Sequence, residues 1–436
     1  MAAQPDNIKD AARRPRLSAR TCGVLAACAV VVLAILCAAC LLWAQGARAC
    51  RDARLADATY YEKLAAQEQA YLLSTQASDG ALLYTPGQEG EADVVAYFSS
   101  LGALGLLAEG SDETKNERFA AVERYLAWYG AHLEDGSREN LPAGSICDYS
   151  LTFEKGVVNG ETREDPDSVD SYAATYVLVL AAFANAGGSQ EFLAQHADES
   201  ALVLEALLGT LGDNGLSCVA PDNGTQYLMD NAEVLAALRA APTLIERTWL
   251  PYATADEGKR WKHLSRECAD AAEALEDAIE RELWDAERSC WNVALDSSGE
   301  TIPWEGWEEF YPSAVAQFAP AAFAGGFAHT DVAGRSRALF DAFSDACSWE
   351  TFEHLDRGDA SFYWSMLAYA AASSGDEKRA RTYLEGYDAR VTETEHAWPL
   401  YIADASWVAR AASLLAQSAY ADAQGADPLG LLTIIP

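Results

Sequence analysis

DPDSVDSYAATYVLVLAAF, Asp165–Phe183, sets three aspartates at the start of a helix that has no polar face. A helix that is apolar on every side must be buried on every side. The segment before it is built differently. In ERFAAVERYLAWYGAHL, Glu117–Leu133, the residues Phe119, Val122, Tyr125, Leu126 and Tyr129 recur at three- and four-residue steps. That spacing gives one buried stripe and leaves the charges on the other side.

The alternation recurs along the chain. Amphipathic helices are expected near 56–76, 113–133, 191–211, 258–284, 331–347 and 376–388. Apolar helices are expected near 93–108, 169–186, 230–241, 312–324, 360–373 and 402–418. The apolar set reads VVAYFSSLGALGLL, SYAATYVLVLAAF, NAEVLAALRA, SAVAQFAPAAF, FYWSMLAYAAA and ASWVARAASLL. Its Ala, Gly and Ser residues let neighbouring backbones come close. Six amphipathic helices around six buried ones describe an all-α fold, an (α/α)6 toroid of six helical hairpins. Strand signals are weak and confined to loops, where SCWNVALDSSGE, Ser289–Glu300, reads as a small hairpin.

Residues 21–47 contain no charged side chain. A bilayer needs roughly 20 apolar residues. Lys9, Arg13, Arg14, Arg16 and Arg20 precede the run, and Arg48, Arg51 and Arg54 follow it. The bias predicts a cytoplasmic segment at 1–20, a transmembrane signal anchor at 21–47, the toroid outside the cell membrane at 48–424 and a tail at 425–436. A competing reading is a signal peptide cleaved near Ala47-Arg48-Ala49, which would give a secreted chain. Leu25-Ala26-Ala27-Cys28 also fits a lipoprotein box, although the apolar run continues well past Cys28.

The formal net charge is −35, although residues 1–49 carry six basic and two acidic side chains. Such acidity repels nucleic acid and anionic membrane surfaces, so no nucleic-acid partner is expected. A solvated acidic surface says little about what a pocket holds. Of ten cysteines, five lie in or beside the apolar run. The others are Cys147, Cys218, Cys268, Cys290 and Cys347, and none has zinc spacing. No metal or cofactor is expected. Cys147 and Cys218 fall in loops of one face and are a candidate bridge for an exported chain. A monomer is expected.

Connections from amphipathic to apolar helices are long, as in Glu134–Val169 and Asp285–Pro312. The returns, such as NAGGSQ and SSGDE, are short. Long loops above a rigid ring place a site where the buried helices begin. Asp165, Asp167 and Asp170 stand before the second of these helices, and Asp230 and Glu233 open the third. Asp167 or Ser168 also suits a helix cap, but one helix end cannot use three caps. Pro303–Pro312, PWEGWEEFYP, supplies Trp304, Glu305, Trp307 and Tyr311. Burial between two tryptophans would raise the Glu305 pKa. Glu89, Glu91, Asp93 and Tyr97 stand at the first apolar helix, and Trp364 lies on the fifth. HAWPLYIADASW brings Trp398, Tyr401 and Asp404 to the sixth. Trp284 and Trp291 read as packing residues.

Six helical hairpins, the DSYAATY helix start, LWDAERSCWNVALDSSG before a Trp-rich loop, and acidic helix mouths resemble the six-hairpin glycosidase superfamily across residues 55–420. The resemblance implies a carbohydrate ligand at the loop-rich face. Members are mostly glycoside hydrolases, and related toroids include polysaccharide lyases and epimerases. Glycosidic cleavage needs a carboxylic acid and a carboxylate, and sugar rings stack on aromatic faces. The expected catalytic set is Asp170, Asp167, Glu305, Glu91 and Asp230. The expected substrate-binding set is Tyr97, Tyr172, Trp304, Trp307, Tyr311, Trp364, Trp398 and Tyr401. A cellulase-type layout within the superfamily resembles Glu89 or Glu91 with Asp167 or Asp170. The leading expectation is a membrane-anchored, inverting glycoside hydrolase. The alternatives are a non-catalytic glycan- or protein-binding toroid, and a lyase or epimerase using His354, His396, Arg163 or Arg357.

Overall fold

The computed structural model describes residues 19–87, 89–138, 140–323, 327–357 and 362–425. It contains two compact units, one spanning Ala58–Ser418. The other holds the described residues up to Asp57 and those from Ala419. Helix α1 (Ala19–Ser74) begins in the smaller unit, where Val30, Leu33, Leu36, Leu42 and Trp43 are exposed. Among the described residues it is the one helix long and apolar enough to cross a membrane. The segments expected at 1–20 and 425–436 lie almost wholly outside the described residues.

The larger unit pairs each outer helix with an inner one. The end of α1 precedes α2 (Ala96–Leu106), and α3 (Asp112–Ala131) precedes α4 (Asp170–Asn185). Then α5 (Gln190–Gln195) and α6 (Ala197–Gly209) lead to α7 (Leu228–Thr248). Next, α8 (Ala255–Ala278) leads to α9 (Val315–Ala322). After α10 (Thr330–Cys347) comes the short α11 (Glu353–Arg357), then α12 (Met366–Ser373). Finally α13 (Glu377–Glu393) leads to α14 (Ile402–Gly425). The inner helices pack in the order α2, α4, α7, α9 and α12. Through the Tyr369–Trp407 ring contact α12 meets α14, and through Gly102 and Gly105 α2 meets it too, which closes the ring. The chain is an (α/α)6 toroid.

Burial follows the sequence pattern. Helix α4 buries residues on every face, including Asp170, Tyr172, Val177 and Phe183. Helix α3 buries the stripe Val122, Tyr125, Leu126 and Tyr129. Several boundaries differ from expectation: α1 runs unbroken between 47 and 56, and α12 starts at Met366 rather than near 360. The third outer helix is broken at His196, which leaves helical geometry. The third inner helix runs past Pro242 to Thr248. Pro242 forfeits one backbone hydrogen bond, but Leu244 and Ile245 beyond it are buried, and their packing carries the helix on.

The loops hold more strand than expected. β1 (Gly90–Val94), β2 (Asp148–Glu154) and β3 (Val157–Glu164) form an antiparallel sheet in that order. β4 (Gln226–Tyr227) joins a second sheet, and β5 (Trp284–Asp285) pairs with β6 (Cys290–Trp291). β7 (Ala294–Leu295) and β8 (Thr301–Ile302) form a small hairpin whose second strand lies just past the stretch Ser289–Glu300 where one was expected. No disulfide joins Cys147 and Cys218. The Cys147 thiol donates to Glu134 Oε1 at 3.3 Å, and Cys218 accepts from Gln226.

Ring closure depends on a close approach. A Cβ at Gly105 would lie 2.6 Å from Ser406 Cα and 2.7 Å from Leu72 Cδ1. The first of these is backbone and cannot turn aside. Gly105→Val is therefore expected to destabilise the larger unit by about 1–3 kcal/mol or more, read as a lower unfolding midpoint. An unchanged midpoint would mean that α2 and α14 do not meet here.

Candidate active site

A cavity of about 840 Å³ opens where the inner helices begin. The inner helices bring Tyr97 from α2, Ser171 and Tyr172 from α4, Asp230 and Glu233 from α7, and Asp404 and Trp407 from α14. The long loops add Asp148, Asp167, Tyr311 and Trp364. Five carboxyl groups thus line one space.

Their surroundings separate them. Asp167 is exposed, and its backbone amide lies 3.4 Å from the Tyr172 hydroxyl. Asp230 is partly exposed to the cavity. Burial, reinforced by the charges of Asp170, Glu233 and Asp167, pushes its pKa well above the usual carboxylate range. Glu233 is 4% exposed and accepts from Tyr97 Oη at 2.6 Å. Burial raises it to about 8. Asp404 is 1% exposed and accepts from the Ser365 amide at 2.8 Å. Burial raises it to about 7. Asp148 accepts from Tyr172 Oη at 2.9 Å and from the Ala96 amide at 3.1 Å, and burial raises it to about 6.

Aromatic rings form the rest of the wall. Tyr97 stacks on Tyr172 at 6.1 Å between centroids, and Phe98 meets Tyr401 edge-on at 5.2 Å. Phe362 packs on Tyr401 at 5.1 Å, and Tyr311 on Trp364 at 5.4 Å.

A wild-type glycosidase superimposes on this chain with a TM-score of 0.50 at 13% identity, covering 84% of this chain and 98% of its own. A GH76 alpha-mannanase from Bacteroides thetaiotaomicron does so with a TM-score of 0.50 at 11% identity, over 83% of this chain and 96% of its own. A variant glycosidase reaches 0.51 at 13% identity, over 84% and 98%. The chain shares the (α/α)6 toroid fold of these glycosidases. No family model and no curated protein matches the sequence.

Within that fold the expected residues divide sharply. Asp167, Asp230, Tyr97, Tyr172, Tyr311, Trp364 and Tyr401 line the cavity. Asp170 does not. It is fully buried beneath the floor, where Oδ1 accepts from the Ser171 amide and Oδ2 from Ser217 Oγ, each at 2.8 Å. The opening aspartates are not caps, because Val169 starts α4 without a side-chain cap. Asp165 instead pairs with Arg138.

Glu91 is exposed on β1 opposite Thr152, where sheet pairing has taken it from the wall. Glu305 is exposed rather than sandwiched. Its neighbours Trp304 and Trp307 pack on each other at 4.6 Å, and Trp307 packs on Phe343 of α10, so neither lines the cavity. Trp398 is exposed and does not line the cavity; it packs on Phe362 at 5.6 Å and on Tyr84 at 6.2 Å. Trp284 and Trp291 pack on each other at 4.8 Å.

The groups considered for lyase chemistry are placed elsewhere. His354 stacks on Phe310, His396 lies 3.8 Å from Glu68, and Arg163 donates to Glu134. The side chain of Arg357 lies outside the described residues. Asp148 was not anticipated. The alternation of DYSLTFE was the available signal, since a strand there carries its first residue to the mouth of α2.

Raised carboxyls have a thermodynamic consequence. Glu233 and Asp404 hold protons in the native state that unfolded carboxyls release near pH ~4. The native state thus binds more protons between about pH 4 and 8. Their stabilising contribution is full at the acidic end and is lost as pH rises through the native pKa values. The unfolding midpoint is expected to fall between about pH 5 and 8.5, and Glu233→Gln to flatten that slope. A midpoint that rises over this range would contradict the assignment.

Proposed function

We propose that the chain is a membrane-tethered glycoside hydrolase in which Asp230 is the general acid and Asp167 the general base. The observation that carries this reading is one cavity wall holding two carboxyls with opposed environments. Asp230 retains its proton among buried negative neighbours, while Asp167 stands exposed to solvent. In the reaction Asp230 passes its proton to the glycosidic oxygen as the C–O bond breaks. Asp167 takes a proton from the water that attacks the anomeric carbon, with inversion. The aromatic wall supplies faces for the sugar ring. The glycosidase fold supports the substrate class. The apolar run at 21–47 and its basic flank support a tether with the toroid outside the cell.

The test is incubation of the full-length chain in detergent with a panel of neutral, amino and acidic oligosaccharides. Products are followed by mass, and the anomer first formed by NMR. Fragments whose masses sum to that of the substrate plus one water support the reading. Fragments whose masses sum to that of the substrate alone would replace it with elimination. Binding without cleavage of any member would replace it with a non-catalytic toroid.

A further inference from the structure

Every ionisable side chain among the described residues lining the cavity is a carboxyl or a tyrosine. No lysine, arginine or histidine of the described lining balances Asp148, Asp167, Asp230, Glu233 and Asp404. Arginines of adjoining segments are engaged elsewhere. Arg163 bonds Glu134, Arg138 pairs with Asp165, and Arg410 lies across the rings of Tyr369 and Trp407. A second observation points into the cavity. Ser171 approaches Glu233, and Ser365 and Tyr363 approach Asp404, but the buried Glu233 Oε2 and Asp404 Oδ2 accept no hydrogen bond of normal geometry. Both side chains are more than nine-tenths buried and both line the space. Buried acceptors of this kind need donors.

We infer that the sugar residue held in this cavity carries a free, protonated amine, an un-acetylated amino sugar whose ammonium donates to these buried carboxyls. The inference rests on the hydrolase reading and names its substrate class. Sugar hydroxyls also donate hydrogen bonds, but they leave the carboxyls without a counter-charge. An ammonium brings three donors and the missing positive charge together. A uronic acid would add a like charge to a partly desolvated space and is rejected. An N-acetyl group removes the ammonium charge and adds bulk. Burial keeps protons on Glu233 and Asp404 in the empty cavity, and a bound ammonium would displace them and leave carboxylates as its partners.

The experiment measures binding of monosaccharides to the full-length chain in detergent by calorimetry. Glucosamine, galactosamine and mannosamine are compared with their parent hexoses, their N-acetyl forms and the corresponding uronic acids. At least one amine is expected to bind about 10-fold or more tightly than its parent, and uronates not measurably. Ethanolamine, an ammonium without the ring, should not compete. In Glu233→Gln and in Asp404→Asn, with folding checked by circular dichroism, the preference for the amine over the parent should fall toward one. Parent hexoses binding as tightly as amines, uronates binding comparably, or an unchanged preference in both variants overturns the inference. Cleavage of neutral glycans without amine preference overturns it alone. Absence of both binding and cleavage for every sugar removes the hydrolase reading with it.

Discussion

Asp230→Asn is expected to lower kcat/KM on the cleaved glycan by about 10²–10⁴-fold, with KM little changed. Asparagine keeps the shape of the side chain but has no proton to give the departing oxygen. The loss should therefore depend on the leaving group. Glycosyl fluorides, which leave without protonation, should retain most of their rate in Asp230→Asn and lose it in Asp167→Asn. The electrostatics add a pH signature. Asp170 stands beneath the floor, and its charge helps hold the proton on Asp230. Asp170→Asn removes a negative neighbour, favours the ionised form of Asp230 and lowers its pKa. The alkaline limb of kcat/KM should shift toward lower pH. Equal losses on fluoride and natural glycan in Asp230→Asn would remove Asp230 from the acid role.

Glu276→Ala is expected to cost about 3–5 kcal/mol, read by thermal or denaturant unfolding. Glu276, on α8, is completely buried. Its Oε2 accepts from Arg239 of α7 at 2.6 Å, and its Oε1 from the amides of Ala328 and His329 at 2.8 and 2.7 Å. One carboxylate thus ties the third and fourth hairpins to the start of the fifth. Truncation strands a largely buried guanidinium and two amide donors. The double variant Arg239→Met, Glu276→Leu should recover much of the loss, because apolar side chains leave no unpaired charge. A double variant as unstable as the single one would show that the two amides, not the ion pair, carry the effect.

The ring was legible in the sequence because burial on all sides leaves an unmistakable pattern. SYAATYVLVLAAF gave no polar face, and α4 has none exposed. The ends of inner helices were legible for the same reason, which is why Asp167, Asp230 and Tyr97 were named. What failed was the direction of loop side chains. PWEGWEEFYP looked like a wall of the cavity, but Trp307 found Phe343 and Trp304 packed on Trp307, while Glu305 followed the backbone into solvent. Asp170 was read as facing the pocket because it begins a helix. Its oxygens turned to the nearer donors of Ser171 and Ser217. Asp148 was missed because its strand lies inside a loop, and pairing between β1 and β2 depends on residues more than 50 positions apart.

The contact between α2 and α14 joins segments made far apart in synthesis. Ser406 Oγ donates to the Leu101 carbonyl across 305 positions of chain. At about 5–20 residues per second, a ribosome needs roughly 15–60 s to cover that distance. Until then the first inner helices have no last neighbour, and apolar faces meant for the ring stay open. The same delay withholds Tyr401 and Asp404, so a chain stopped before α14 lacks one side of its cavity. The site is therefore complete only once α14 has been made, and a chain stopped before it is expected to be inactive rather than weakened.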